Sequence, residues 1–299
     1  MPRMLQARTI GEILDDVFRQ YRSYFVPLMI ISLVFLGPII ILQAIFMSHV
    51  PALQYQSLLS GNPNQIMAQL QKSSVPSVAL VTAIGSIALL LVQLNISTPL
   101  TDGSYYLLTG DTLLHDLERP SPWSYVRGAV ARWGAYLGTI WLMIGLGAAI
   151  TALLGLFVFG MVFLAAHAGP IVGLLVLLYV VVILLIIWLG IRLLFAIPVV
   201  FFEKVRNWAA LKRSFALTSG SFWRLFFIIL VSNLIFSFAS TGLAAILNLV
   251  LPTTALRVLG SGVITILLTP LMTLLIGNLY IDMRIRREGY DLEIRTGQV

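Results

Sequence analysis

The dominant pattern along the chain is a succession of apolar runs, each long enough to cross a lipid bilayer. They fall at residues 24–47, 78–100, 134–166, 171–191, 222–250 and 258–281. A membrane-spanning helix takes about 20 apolar residues. The pattern therefore predicts an all-α, polytopic membrane protein with six transmembrane helices. The third and fourth runs are separated only by His167-Ala168-Gly169-Pro170. Proline lacks the amide that would continue the preceding helix, and Gly-Pro favours a turn, so a tight helical hairpin is expected there.

Ahead of the first, third and fifth runs the pattern becomes amphipathic. Residues 9–22 open on Thr9-Ile10-Gly11-Glu12, the spacing of a capping box in which Thr and Glu satisfy each other's backbone amides. Ile10, Ile13, Leu14, Val17, Phe18 and Tyr21 form one apolar stripe, with Glu12, Asp15, Asp16, Arg19 and Arg22 on the other face. Such a helix suits the inner membrane interface. Residues 121–133 begin with Ser121-Pro122, a cap followed by proline at the first helical position, and place Trp123, Val126, Val130 and Trp133 on one side. Residues 207–217 place Trp208, Leu211 and Phe215 inward and Lys212 and Arg213 outward. The expected architecture is a single transmembrane domain over 1–299, built from three units of amphipathic elbow helix plus helical hairpin. An external insert at 48–76 lies in the first unit, where Asn62-Pro63 can cap a short surface helix.

Composition and charge sharpen this picture. The chain has 299 residues, 59% hydrophobic and 10% charged, and no charged residue lies between Arg132 and Arg192. A soluble domain of this size carries roughly 25% charged residues. Sixteen of the nineteen Lys and Arg fall in the N-terminal segment, 101–133, 203–224 and the C-terminal segment. Six spans put those four segments on one side, and the positive-inside rule makes that side cytoplasmic, with both termini there. The opposite side has Lys72 and Arg257. The tryptophans Trp123, Trp133, Trp141, Trp188, Trp208 and Trp223 gather near the same cytoplasmic segments. The first 22 residues have no apolar core, so the first span itself is expected to direct insertion into the inner membrane of a prokaryotic cell. The net charge of +7 then reflects topology rather than nucleic-acid binding. The absence of cysteine excludes disulfides, thiol catalysis and cysteine-ligated metals.

Two longer stretches and one shorter one resemble a known family. Residues 195–226, from Phe-Ala-Ile-Pro-Val-Val-Phe-Phe-Glu to Ala-Ala-Leu-Lys-Arg-Ser-Phe-Ala-Leu-Thr-Ser-Gly-Ser-Phe-Trp-Arg, are similar to a pattern of the glycerophosphoryl diester phosphodiesterase membrane-domain-like family. Leu279-Tyr280-Ile281-Asp282-Met283-Arg284-Ile285-Arg286-Arg287-Glu288 through Glu293 resembles that family's ending, and residues 10–22 resemble its start. The resemblance implies a membrane region of the kind found fused to a phosphodiesterase domain. The phosphodiesterase activity is not carried over, because the three histidines, His49, His115 and His167, do not supply its paired histidines and acidic metal ligands.

No residue set forms a catalytic, cofactor or metal site. Asp111, His115, Asp116 and Glu118 match no metal-ligand spacing and read as a solvated loop. Arg192 closes the longest uncharged run and is expected to reach lipid phosphates or to pair with Glu203 or Asp282. Arg284, Arg286 and Arg287 form a basic patch suited to anionic headgroups. Within the spans, Asn95, Asn233, Asn248, Asn278, Ser232, Ser237, Ser240 and Thr269 can join helices to one another or line a polar path. Gly134 and Gly138 form a Gly-x-x-x-Gly where close helix approach is expected. Pro38, Pro198 and Pro270 are expected to kink or end helices.

The leading functional expectation is a non-enzymatic membrane scaffold or accessory subunit, with membrane lipids and other membrane-protein subunits as partners. The alternative is a transporter, channel or lipid-handling protein with a polar path between the hairpins. A lipid-modifying enzyme is a third reading. A cavity lined by the intramembrane Asn and Ser together with Arg192 would point to transport. A dry bundle with a neighbour packed on it would point to the accessory role.

Overall fold

A computed structural model describes residues 8–49, 101, 104–105, 122–165 and 171–289 of the chain. These residues form eight helices and no strand: α1 (Ile10–Ser23), α2 (Phe25–His49), α3 (Pro122–Ala165), α4 (Ile171–Arg192), α5 (Ala196–Glu203), α6 (Asn207–Thr218), α7 (Phe222–Val250) and α8 (Thr254–Glu288). The second apolar run, nearly all of the 48–76 insert, the Asp111–Glu118 cluster and the turn at 167–170 lie outside the described residues. Among the described residues five stretches are long and apolar enough to cross a membrane: Phe25–Ile45, Trp133–Ile150, Val180–Glu203, Phe222–Val250 and Ala255–Glu288. The chain is a multi-pass membrane protein, and its outward apolar side chains, such as Leu33, Ile41, Leu184 and Phe238, are what lipid as solvent allows.

Helix α1 starts at Thr9 through the expected capping box. The Glu12 amide donates to Thr9 Oγ1, and the Thr9 amide donates to Glu12 Oε2 at 2.7 Å. Its buried face differs from the expected apolar stripe. Ile13, Asp16, Val17 and Gln20 are buried, while Ile10 and Phe18 are exposed. The reason is physical: Asp16 and Gln20 find charged and amide partners inside, whereas apolar side chains lose little by facing lipid.

The 121–133 segment makes no separate element where it is described. From Pro122 it runs without interruption into the third span, giving one helix of 44 residues. At 1.5 Å per residue that helix is about 66 Å long, roughly twice the hydrocarbon thickness. No proline or helix-ending cap interrupts it. By contrast, Tyr24 alone separates α1 from α2, and Ser219-Gly220-Ser221 separates α6 from α7. Gly220 has φ +72, a backbone conformation that favours glycine.

The fourth span ends at Arg192, one residue past the end of its apolar run, and the apolar stretch beyond Arg192 does not continue the helix. A turn at Leu193-Leu194-Phe195 ends α4 and starts the short helix α5. Pro198 sits in the first turn of α5, where its missing amide forfeits no helical bond. Pro38 and Pro270 both lie inside helices.

Helix α8 is the centre of the packing, lying against α1, α2 and α7. Leu28 and Ile31 of α2, Leu225 and Ile228 of α7, and Leu271, Leu274 and Leu275 of α8 belong to the shared core. A Cβ at Gly262 of α8 would overlap the Ile40 side chain, so glycine sets the α2–α8 approach. Gly138 has a different role from the expected helix–helix contact. A Cβ there would meet the side chain of Asn207, and the Asn207 backbone N–H donates to Thr139 Oγ1 at 2.8 Å, while Gly134 faces open space.

Candidate functional site

The three family-like segments, at the two ends and in the middle of the sequence, converge at one end of the bundle. Their polar side chains form two ionic clusters there. The first is organised around Asp282, fully buried on α8. Its carboxylate accepts from the Arg8 amide at 2.9 Å and pairs with Arg224 at 2.8 Å and Arg286 at 3.1 Å. Arg224 and Arg286 also both donate to the Arg8 carbonyl, at 2.8 and 2.7 Å. The Arg8 guanidinium, itself buried, runs onto Asp16 at 2.8 Å and Asn278 Oδ1 at 3.1 Å. Asp16 also pairs with Arg19. Asn278 completes the set by donating to Gln20 Oε1 at 2.8 Å and to the Leu274 carbonyl.

The second cluster joins α5, α6 and α8. Arg213 donates to Glu203 at 2.6 Å and to Glu288 at 2.7 Å, Tyr280 donates to Glu203 at 2.7 Å, and Arg284 pairs with Glu288 at 3.3 Å. The hydrogen bond to Glu288 first, and the bond and charge of Glu203 beside it, raise the Arg213 pKa above its ordinary value against the opposing effect of burial. Arg213 is thus a fixed cation between two carboxylates. Aromatic rings pack beside it: Phe202 stacks on Tyr280 with centroids 4.9 Å apart, and Phe195 meets Tyr280 edge-on.

The expected positions map onto these clusters unevenly. Glu203, Asp282, Arg284 and Arg286 are all in ion pairs. Arg192 reaches neither Glu203 nor Asp282. It stacks on Trp188 and donates to the Phe215 carbonyl at 3.3 Å, near the C-terminus of α6. Arg287 donates to the Ala216 carbonyl at the same helix end. Both cations therefore complement the negative end of the α6 dipole, a role that α5 makes possible by turning the chain back after Arg192. Trp208 points outward, and α6 instead buries Ala210, Leu211, Ser214, Leu217 and Thr218. Arg8, Asp16, Gln20 and Arg213 were not singled out from the sequence as a joined set, because their partners lie far along the chain.

A groove of about 560 Å³ opens between α7 and α8, on the part of the hairpin away from these clusters. Asn233, Ser237, Ser240, Thr241 and Ala244 line one wall together with Phe236, and Ser261, Thr265 and Thr269 the other together with Ile264, Leu268 and Met272. On α8 the hydroxyls recur every fourth residue, through Ser261, Thr265, Thr269 and Thr273. Their protons return to their own helix: Thr265 to Ser261 O, Thr269 to Thr265 O, and Ser240 to Ser237 O. Asn233 likewise donates to Ile229 O. Each wall extends over about 11 residues, about 16 Å. Among the described residues no group of three or more His, Cys, Asp or Glu could hold a metal ion.

No curated protein and no solved structure matches the chain. A family model does match, over residues 171–285, which run from the start of α4 almost to the end of α8. That stretch carries Glu203, Arg213, Arg224, Asn278, Asp282 and both walls of the groove. The match, to the membrane domain of glycerophosphoryl diester phosphodiesterase, takes in all of residues 195–226 and the first part of 279–293, up to residue 285, while residues 10–22 lie outside it; residues 171–285 of the chain are thus similar to that membrane domain.

Proposed function

We propose that the protein is a non-enzymatic accessory subunit that docks a transmembrane helix of another membrane protein in the α7–α8 groove. The observation that carries this reading is that each wall carries a row of small or hydroxylated side chains at four-residue spacing, set among the larger apolar Phe236, Ile264, Leu268 and Met272. In a bilayer, helices associate through close packing of small residues and interhelical hydrogen bonds, each worth about 0.6–2 kcal/mol. Because the hydroxyl protons are held by their own helix, the groove is stable in lipid when empty of a partner and offers acceptor lone pairs to a helix that enters it.

The groove does not favour a polar transport path. Of the intramembrane residues proposed from the sequence, Asn233, Ser237, Ser240 and Thr269 line it, but Arg192, Asn248 and Asn278 do not. Among the described residues no cation lines it to recognise a phosphate or a carboxylate. On this reading the ionic clusters are the rigid cytoplasmic base of the domain, to which Arg224 of α7 and Asp282 of α8 fix the two walls of the groove.

Photo-cross-linking tests the proposal. A photoreactive amino acid at Thr265 or Ser240, activated in native membranes, is expected to give a discrete adduct with another membrane protein. Exclusive labelling of lipid, or of this same chain, overturns the reading.

A further inference from the structure

We propose that Arg224 and Arg286, held against the Arg8 carbonyl, form a binding site for the phosphate of an anionic lipid headgroup. This site is separate from the groove and does not depend on it. Among the described residues, four arginines, Arg8, Arg19, Arg224 and Arg286, belong to the first cluster and two carboxylates, Asp16 and Asp282, pair with them, an excess of two positive charges.

The excess sits on the accessible side. Arg8 and Asp282 are buried, whereas Arg286 is 37% exposed and Arg224 25%. Both guanidinium groups are fixed at one end, by Asp282 and by the Arg8 carbonyl, so little side-chain entropy remains to be lost on binding. Arg224 Nη1 is buried and makes no hydrogen bond among the described residues, so it is the other guanidinium edges of Arg224 and Arg286 that face outward. Two oriented guanidinium planes match the tetrahedral oxygens of a phosphate.

The surroundings favour a lipid over a free ion as the source of that phosphate. Trp223, next to Arg224, is exposed and stacks on Phe227, which is also exposed. Amphipathic rings of this kind mark headgroup depth. The basic patch read from the sequence therefore divides: Arg284 is engaged by Glu288 and Arg287 by the end of α6, while Arg286 joins Arg224 from a different helix.

Native mass spectrometry of the full chain tests this, after incubation with equal amounts of dioleoyl phosphatidylglycerol and dioleoyl phosphatidylcholine. The wild type is expected to retain the anionic lipid about 25-fold over the zwitterionic one, since each of two arginines near an anionic surface contributes about a factor of five. R286Q should reduce that preference to about fivefold, and R257Q, at the other end of α8, should leave it unchanged. R224Q, which leaves Arg286 on Asp282, keeps the test open if R286Q fails to fold, and should likewise reduce the preference to about fivefold. Equal retention of the two lipids by the wild type overturns the proposal, as does a preference unchanged in whichever of R286Q and R224Q folds. Displacement of the lipid by millimolar inorganic phosphate overturns the assignment to a lipid.

Discussion

Arg8 and Asp282, 274 positions apart, are joined directly and through two shared arginines. The Arg8 amide donates to Asp282 Oδ1 at 2.9 Å, and Arg224 and Arg286 each bridge the Arg8 carbonyl to the same carboxylate. The start of the described chain is thereby fastened to the last helix and to the start of α7. A buried carboxylate with this many donors cannot be removed without leaving cations uncompensated. Asp282→Ala is therefore expected to lower stability by about 3–5 kcal/mol. Thermal unfolding of the detergent-solubilised protein, followed by circular dichroism, measures it; a loss below about 1 kcal/mol would show that the cluster is solvated.

Asn278 holds two buried partners at once, accepting from Arg8 ahead of α1 and donating to Gln20 within it. Asn278→Leu leaves both partners buried without it, and the expected loss is about 1–3 kcal/mol for each unsatisfied group. Replacing Gln20 with Leu in the same chain should recover part of that loss. A double-mutant cycle with no coupling between positions 20 and 278 would contradict the hydrogen bond.

Gly262 and Ile40 set the distance between α2 and α8. Gly262→Ala should destabilise by about 1–3 kcal/mol through overpacking. Ile40→Ala should partly rescue it by making space. Equal effects of Gly262→Ala with and without the second change would place the close contact elsewhere.

Much of this was legible in the sequence, and what was hidden has a common cause. Apolar run length marked the spans, and the Thr9–Glu12 spacing marked the start of α1, because both are local properties. Helical periodicity puts the Asp16 carboxylate outside and assigns Gln20 to neither face; their partners Arg8 and Asn278 meet them through the tertiary fold. The apolar run marks the end of the fourth span, but not the turn at 193–195 that leaves Arg192 against the end of α6 rather than on Glu203 or Asp282. The polar wall of α8 is a four-residue repeat in the sequence, but the groove exists only because α7 lies beside it.

Because the chain contains no cysteine, single introduced cysteines report topology directly. The six-span reading predicts that Lys72→Cys is labelled by an impermeant maleimide in intact cells, while Ser121→Cys and Gly289→Cys are labelled only after the membrane is opened. Labelling of Gly289→Cys from outside would invert the orientation.

The docking role itself is tested most directly by purifying the full chain from its native membranes in mild detergent, beside a variant with Ser240→Leu and Thr265→Leu. These substitutions fill the groove without touching the ionic clusters. A membrane-protein neighbour that copurifies with the wild type in fixed proportion and is lost from a folded variant is the predicted result. A wild-type chain that purifies alone, and that moves a solute or a lipid when reconstituted in liposomes, would contradict it.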